Sequence, residues 1–536
     1  MPEKKSPPGW FGVCLAVFLF LVSLGFQIRS GAWQSDFGGH ADEAAHVVTS
    51  LMVRDYLAGG FLETPHPKRY AEEYYERFPK VALGHYPPGF YLVASVGLLP
   101  FRSGETFLVL MNLIAAGGGL LVWKLGRRVL GNDGQAALIA LLYVVLPQTR
   151  TYTAIVMADL LLVALSLLAA LFFLSFIRDP RPRDALLFGL TAAGAILTKG
   201  SGIGLALLPP LALLLSGKGK LLLNRSLWLA PVPVIALALP WMLFSMGITE
   251  EGMQESGILD WAKAAIPFYG EGVVMEVGWV ATAAFFAAIG TALIRTVARR
   301  PFPEEEAVLW ALLACGIVIP LVVPAGLDHR YLMPVIPSLL LLGAAQVRRI
   351  VGEKRIRVGA LVGGGYALLV FGETFRPVEK LYTGASAAVE RVVEDAETER
   401  PGGSPTRVLA VSNATGEGAL IAAAALTAPD SLVIARGTKW LSTSDWMGRG
   451  YRLSFETPQD LTEMAAERAI DYLVCDPPPA NTPWEHWRIL HGWLEAQQGL
   501  SFPLVGSVPS RRRLVETRFA IYRVVEREPG STPLVR

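Results

Sequence analysis

The sequence predicts a polytopic α-helical membrane protein followed by a small α/β domain. The chain has 536 residues, of which 52% are hydrophobic and 18% are charged, and its mean hydropathy is +0.42. This balance is too apolar for a soluble enzyme of the same size. Uncharged runs long enough to cross about 30 Å of hydrocarbon recur before residue 375. They lie at 6–28, 106–123, 160–177, 200–217, 226–247, 277–294 and 307–327.

Shorter apolar stretches and the basic residues between them raise the expected number to about eleven spans. The shorter stretches lie at 135–149, 185–198, 331–347 and 358–372. Lys4, Lys5 and the Arg/Lys clusters of alternate loops mark the cytoplasmic side. Segment 87–101 begins with two prolines, so we expect a re-entrant or interfacial helix there. The C-terminus then lies outside the cytoplasm, and the protein is expected in the cell (inner) membrane.

Changes in composition predict the domain boundaries. The membrane domain is expected over 1–375, a charged linker over 376–404, and an extracytoplasmic α/β domain over 405–536. In the last of these, β-like apolar runs alternate with helical patterns, which is typical of an α/β domain. Its Gly416-Glu417-Gly418 follows a predicted strand but lacks the third glycine of a dinucleotide-binding motif. We therefore expect no nucleotide cofactor there.

The first long loop, 30–86, is too polar to lie in lipid. Apolar residues at helical spacing predict a surface helix over 42–58 that ends at Gly59-Gly60. Tyr70, Tyr74 and Phe78 recur every four residues among charged residues, which predicts a second amphipathic helix along the membrane surface.

An acidic pair, Asp42 and Glu43, stands at the start of the first of these helices. Asp42 can cap the helix, but a cap needs only one acid. Alternatively, a carboxylate at the membrane edge can act as a general base toward an acceptor hydroxyl or amine. Both are therefore candidate catalytic residues. His40 and His46 lie beside them, so a weak divalent-cation site stays open, but the spacing is not the zinc-protease motif and no metal ligands are assigned.

Three further ionisable residues lie at the ends of apolar runs on the predicted outer face: Asp159, Lys199 and Arg330. Charged groups at such depths are candidates for function, and an ammonium beside glycine amides suits a phosphate. Structural alternatives stay open for each. Asp159 can cap a helix, Lys199 can extend to the interface, and Arg330 can form an ion pair with Asp328.

The order of these motifs resembles that of the GT-C glycosyltransferases, in particular the superfamily of protein O-mannosyltransferases and lipid A aminoarabinose transferases. The resemblance covers residues 10–350. It is carried by Asp42-Glu43, His85-Tyr86-Pro87-Pro88, Asp159, Leu197-Thr198-Lys199-Gly200 and Arg330-Tyr331-Leu332-Met333-Pro334.

The resemblance implies an inverting membrane enzyme that moves a sugar from a polyprenyl-phosphate donor to a lipid, glycan or protein acceptor. It implies Asp42 as the base or as an acceptor-binding residue, and cations such as Lys199 and Arg330 as partners of the departing phosphate. The chemistry agrees, because inversion needs a base on the nucleophile and stabilisation of the leaving group. The candidate substrate-binding residues are Asp159, Lys199, Arg330, His85, Tyr331 and Arg150. Relatives often carry His or Lys directly before the two prolines, where Tyr86 stands in this chain.

Two other classes of function compete with this interpretation. One is a transporter or flippase of lipid-linked saccharides, and the other is a non-catalytic membrane scaffold with an exterior binding domain. Transporters usually carry ionisable residues near the middle of the membrane and related halves. Here the ionisable residues gather on the predicted outer face and no repeat is visible. No basic stripe indicates nucleic-acid binding, and membrane lipids are the expected surroundings.

Overall fold

The computed structural model describes residues 9–254, 256–352, 356–445, 448–496, 500, 502–512 and 514–524. The chain folds into two compact units. The helical unit comprises Met1–Ser30, Gly84–Phe90 and Leu108–Val378, and the mixed unit comprises Gly31–Leu83, Tyr91–Phe107 and Glu379–Arg536. The mixed unit thus combines the predicted α/β domain with two segments from the N-terminal part of the chain. The predicted boundaries at residues 375 and 404 stay a prediction.

Long apolar helices build the helical unit. Its main helices are Gly9–Arg29, Gly104–Leu130 (which begins in the mixed unit), Asp133–Val145, Pro147–Ala154, Asp159–Arg178, Pro182–Thr198, Leu208–Leu215, Leu239–Glu251, Ile258–Val297, Glu304–Val322, Ile336–Val351 and Ile356–Thr374. Within the described residues, six helical segments are long and apolar enough to cross a membrane: Gly9–Arg29, Gly104–Leu130, Asp159–Arg178, Arg225–Glu251, Ile258–Val297 and Glu304–Val322. This supports a multi-pass membrane protein, while the number of eleven spans stays a prediction.

The segment that follows the two prolines forms a short helix, Gly89–Leu98. Ten residues of α-helix extend only about 15 Å, which is half of the thickness of the hydrocarbon core. The helix is therefore too short to cross a bilayer by itself, and its re-entrant or interfacial placement stays a prediction.

A buried polar network ties three helices of the helical unit together. Gln27 donates to the carbonyl oxygens of Leu108 (3.0 Å) and Thr153 (2.6 Å). Ser23 donates to the side-chain oxygen of Asn112 at 2.6 Å, and Asn112 donates back to Gln27. Buried polar groups of this kind stabilise a fold when each has a partner, so the network fixes how these helices pack.

A six-stranded sheet forms the centre of the mixed unit. The strands are β1 (Tyr382–Thr383), β2 (Thr406–Val411), β3 (Leu432–Arg436), β4 (Ser442–Thr443), β5 (Arg452–Leu453), β6 (Tyr472–Cys475), β7 (Leu504–Arg512) and β8 (Val515–Arg523). The order in the sheet is β1-β7-β8-β6-β2-β3, and β4 pairs separately with β5. Strands β6, β2 and β3 are parallel, and β8, β7 and β1 add antiparallel pairs. The carboxyl ends of the parallel strands therefore meet at one edge.

Helices cover this sheet and extend the mixed unit toward the first loop. They are Glu43–Asp55, Phe61–Glu63, Pro67–Arg77, Ala385–Glu399, Ala414–Thr427, Gly437–Trp440, Pro458–Glu467 and Glu485–Ala496. The predicted helix over 42–58 is present as Glu43–Asp55, continued by a π-helical turn that contains Gly59 at φ 155°. The Glu43–Asp55 helix packs against the Ala414–Thr427 helix. This contact holds the acidic pair inside the mixed unit.

Candidate active site

The predicted site residues are distributed over both units. Asp42 and Glu43 belong to the mixed unit, whereas the six candidate substrate-binding residues belong to the helical unit. The two groups are therefore considered separately.

In the helical unit, Lys199 and Asp159 form a buried ion pair. Lys199 directly follows the Pro182–Thr198 helix, and its backbone is extended. Asp159 is the first residue of the preceding helix, Asp159–Arg178. The Lys199 ammonium lies 2.5 Å from a carboxylate oxygen of Asp159, and their side chains are 9% and 4% exposed. The lysine is thus held inside the unit by the acid. It does not extend to a surface, which was the alternative interpretation.

A second cation, Arg330, lies near this pair, and both cations contact the ring of Tyr331. The centre of this ring lies 4.6 Å from the Lys199 ammonium and 5.3 Å from the Arg330 guanidinium carbon. Aromatic faces attract cations at these distances. Arg330 also lies 3.2 Å from Asp328, so the local ion pair that the sequence left open is present. Residues from three distant parts of the chain thus form one cluster, which we name the cationic cluster: Asp159, Lys199, Asp328, Arg330 and Tyr331.

The loop that carries Arg330 is fixed from several sides. The Gln148 side chain donates to the carbonyl oxygen of His329 at 2.5 Å, and the His329 ring lies 4.5 Å from the ring of Phe268. A Cβ atom at Gly272 would lie 2.9 Å from Leu332 and 3.0 Å from His329. The Ile258–Val297 helix therefore packs closely against this loop, and this packing helps to set the position of Arg330.

The segment that contains His85 approaches the end of the Pro182–Thr198 helix, which leads to Lys199. Gly84 has a φ of 106°, which favours glycine. A Cβ atom at Gly89 would lie only 2.7 Å from the carbonyl oxygen of Leu197, so the chain after the two prolines approaches the backbone that leads to Lys199. His85 itself is half-buried. Its predicted contact with a phosphate stays a prediction.

Arg150 has a different environment. Its guanidinium carbon lies between the rings of Phe26 and Phe375, at 4.9 Å and 5.0 Å, and it donates to the carbonyl oxygen of Arg376 at 2.8 Å. None of these contacts involves the cationic cluster. The geometry indicates that Arg150 joins parts of the helical unit, and its predicted role in substrate binding stays a prediction.

In the mixed unit, Glu43 is enclosed. One carboxylate oxygen accepts from the Lys380 ammonium at 2.6 Å and the other accepts from the backbone N–H of Gly39 at 2.8 Å. The side chains of Glu43 and Lys380 are 0% and 2% exposed. With both oxygens engaged and no exposure, Glu43 is suited to hold the start of its helix in place.

Asp42 remains accessible beside it, with its side chain 22% exposed. It occupies the N-cap position of the Glu43–Asp55 helix, but its side chain makes no cap hydrogen bond because its backbone is already helical (φ −86°, ψ −17°). One carboxylate oxygen lies 3.7 Å from Nδ1 of His40, which accepts from the backbone N–H of Asp42. The capping interpretation therefore does not explain this carboxylate.

Two lysines near the acidic pair were not found by sequence reasoning. Lys380 lies 337 residues from Glu43, and no local pattern connects them. Lys80 is half-buried, and burial together with the charge of Arg436 lowers its pKa to about 7, while Asp42 acts in the opposite direction. An ordinary lysine titrates near pH 10.4, so Lys80 is an unusual lysine, and its charge interacts with that of a candidate base.

No metal centre accompanies these residues in the described part of the chain. There, no three His, Cys, Asp or Glu side chains lie close enough together to hold a metal ion. His46 instead packs its ring 5.7 Å from that of Tyr91.

Comparison with known proteins gives a consistent result. Residues 85–244 match the model of the dolichyl-phosphate-mannose-protein mannosyltransferase family. The crystal structure of ArnT from Cupriavidus metallidurans bound to undecaprenyl phosphate superposes with a TM-score of 0.55 at 16% identity, covering 98% of this chain and 100% of that one. The chain has the ArnT fold. The apo structure of the same ArnT matches equally, with a TM-score of 0.55 and 16% identity over 96% of this chain and 98% of that one. No curated protein sequence matches.

These findings confirm the resemblance that the motifs predicted. The family match includes His85, Arg150, Asp159 and Lys199, and the ArnT fold extends over the C-terminal part of the chain as well. Together they show the ArnT fold over the chain and, over residues 85–244, similarity to a mannosyltransferase family.

Proposed function

We propose that this protein is an inverting glycosyltransferase that moves a sugar from a polyprenyl-phosphate donor to an acceptor on the extracytoplasmic face of the inner membrane. The observation that carries the proposal is the cationic cluster, where Lys199 and Arg330 converge on one tyrosine ring. A lipid-linked phosphate is an anion that suits such a site. The structurally similar ArnT was crystallised with undecaprenyl phosphate, which supports the same class of donor.

The cationic cluster would act on the leaving group. When the bond between the anomeric carbon and the phosphate oxygen breaks, the oxygen keeps the electron pair and the lipid phosphate gains a negative charge. Cations that are already in place stabilise this charge without reorganising. Lys199 is fixed by Asp159 and Arg330 by Asp328, so both have the required preorganisation. His85 and Tyr331 would complete the contacts to the donor.

Asp42 would act on the acceptor. Its carboxylate takes the proton of the acceptor hydroxyl or amine while that atom bonds to the opposite face of the anomeric carbon, which inverts the configuration. General bases of this kind contribute about 10²–10⁴-fold to the rate. Glu43 does not have a free oxygen for this step because Lys380 and Gly39 occupy both. We assign it the positioning of Asp42.

Transfer of radiolabelled sugar tests the proposal. A panel of polyprenyl-phosphate sugars is incubated with the full-length protein and cell-envelope extract as the acceptor source. We expect wild-type transfer from one donor, and Asp42→Asn should lower the turnover about 10²–10⁴-fold. The matched control is Asp260→Asn, because Asp260 forms an exposed ion pair with Lys263 and should transfer normally.

Two results would contradict the proposal. Tight binding of a donor without transfer to any acceptor would favour a flippase or a scaffold. Transfer that Asp42→Asn leaves unchanged would remove Asp42 as the base. A folded variant is required in both cases, which the thermal unfolding temperature establishes.

A further inference from the structure

Lys80 lies where the first loop meets the Ala414–Thr427 helix inside the mixed unit. It follows the Pro67–Arg77 helix, whose last residue donates a hydrogen bond from its guanidinium to the carbonyl oxygen of Pro429. On the other side, the backbone N–H of Ala82 donates to the hydroxyl of Thr49 at 2.8 Å. The chain around Lys80 is therefore fixed at both ends.

The missing side chain of Gly418 makes room for Lys80. A Cβ atom at Gly418 would lie 2.9 Å from Cβ of Ala44, 3.3 Å from Cε of Lys80 and 3.8 Å from its ammonium nitrogen. Lys80 and Ala44 thus contact the same point of the Ala414–Thr427 helix. Ala44 is the second residue after Asp42, so the ammonium lies at the Asp42 end of the Glu43–Asp55 helix.

Four charged groups act on Lys80. Arg436 and Lys439 repel its proton, while Asp42 and Glu417 attract it, and of the two acids Asp42 has the larger effect. The carboxylate of Glu417 is already engaged by three donors, which are the Arg436 guanidinium at 3.0 Å and the backbone and hydroxyl of Thr438 at 2.8 and 2.6 Å. Of the two acids, Asp42 therefore has the carboxylate that favours the charged form of Lys80 most strongly.

We propose that Lys80 is a positioning residue for Asp42, whose ammonium keeps the neighbouring carboxylate ionised and ready to take the acceptor's proton. The inference rests on the proposed function, in which Asp42 is the base. It goes beyond the acidic pair because the residue that keeps the Asp42 carboxylate ionised, Lys80, lies outside the motifs of the sequence.

The physical basis is the reciprocity of charge interactions. If Asp42 favours the charged form of Lys80, then charged Lys80 must favour ionised Asp42 by the same free energy. Lys80 has a pKa of about 7, so it is charged at all pH values low enough for a carboxylate to take up a proton. Lys80 is thus positively charged throughout the pH range in which Asp42 could become protonated.

The first test measures the coupling directly and does not need turnover. The lysines of the full-length protein are acetylated with acetic anhydride in short pulses between pH 5 and pH 10, and the Lys80 peptide is followed by mass spectrometry. We expect the labelling midpoint near pH 7, and Asp42→Asn should lower it by about 0.5 pH units or more. Lys439→Met should raise it, and the control Asp260→Asn should leave it unchanged. A midpoint that does not respond to Asp42→Asn would overturn the proposal.

The second test uses the pH dependence of turnover. Lys80→Met should move the acid limb of the rate profile toward neutral pH by about 0.5 units or more, while Lys80→Arg, which keeps the charge, should follow the wild type. If both variants move the limb equally, Lys80 acts only by packing and the proposal is wrong. If the wild-type protein shows no transfer at all, the proposed function fails, but the labelling midpoint still decides whether Lys80 and Asp42 are coupled.

Discussion

In the part of the chain that the structure describes, each unit contains a buried lysine–carboxylate pair, and the two pairs differ in the charge beside them. The Lys199–Asp159 and Lys380–Glu43 distances are 2.5 Å and 2.6 Å. Beside the first pair stands a further cation, Arg330, over the ring that the lysine also contacts. Beside the second stands a further acid, Asp42. A buried ion pair is weak evidence of function by itself.

The chemistry of each unit is therefore assigned to the additional charge. The pair in the mixed unit is enclosed, with both oxygens of its carboxylate engaged, and serves to fix a helix. The pair in the helical unit is slightly more exposed and places its lysine next to a second cation. The arrangement in the mixed unit suits a general base, and the arrangement in the helical unit suits the binding of an anion. The proposed glycosyl transfer needs both.

The largest effect is expected from breaking the enclosed pair. Glu43→Gln leaves the Lys380 charge buried without a partner, which should lower the free energy of unfolding by about 3–5 kcal/mol. The double variant Glu43→Gln/Lys380→Met removes the charge as well and should recover most of that loss. Chemical denaturation in detergent measures both.

The control for this prediction is Asp260→Asn, which breaks an ion pair whose side chains are 75% and 76% exposed. Such a pair contributes about 0–1 kcal/mol. If Glu43→Gln is as stable as this control, the pair with Lys380 does not carry the structural role that its burial suggests.

The sequence could indicate the acidic pair but not the different roles of its two members. Their neighbours in the chain are alike, and the distinction comes from Lys380, which folding brings from 337 positions away. The same limit applies to Lys199 and Asp159, which were predicted separately and are joined by the packing of two helices. Local alternatives could be predicted better, as the ion pair of Arg330 with Asp328 shows.

The elements of the α/β domain show the same division. Strands β2, β3 and β6 are apolar runs, in line with the alternating pattern that predicted an α/β domain, and the structure shows Thr457 and Asp460 as the capping box of the Pro458–Glu467 helix. Strand β7 is hard to recognise in the sequence, because Gly506 and Pro509 interrupt its pattern and its residues alternate poorly. It is formed by pairing with β8, a non-local contact that propensity does not report.

A smaller effect is expected in the helical unit, where it concerns binding. Lys199→Met should remove the proposed charge-assisted contact to the donor phosphate, worth about 1.5–3 kcal/mol, or about 10–150-fold in affinity. It also leaves Asp159 buried and unpaired. The double variant Lys199→Met/Asp159→Asn should regain stability but not affinity.

Binding of undecaprenyl phosphate, followed by calorimetry, separates these effects. Lys263→Met, which removes an exposed lysine, should bind as the wild type does. Recovery of affinity in the double variant would show that Lys199 serves only to neutralise Asp159. The contrast between the two pairs would then disappear.

The smallest effect concerns the contact that places the acidic-pair helix against the α/β domain. Gly418→Ala puts a methyl group 2.9 Å from Cβ of Ala44, and overpacking of this kind costs about 1–3 kcal/mol. Gly492 also lies within a helix, but a methyl group there would meet no atom within 4 Å, so Gly492→Ala should stabilise by about 0.5–1 kcal/mol. The two substitutions are chemically identical, but they should change the free energy of unfolding in opposite directions. Because Gly418 also contacts Lys80, whereas Gly492 does not, only Gly418→Ala should lower the turnover. Equal turnover of the two variants would mean that the packing at Ala44 does not affect the proposed base.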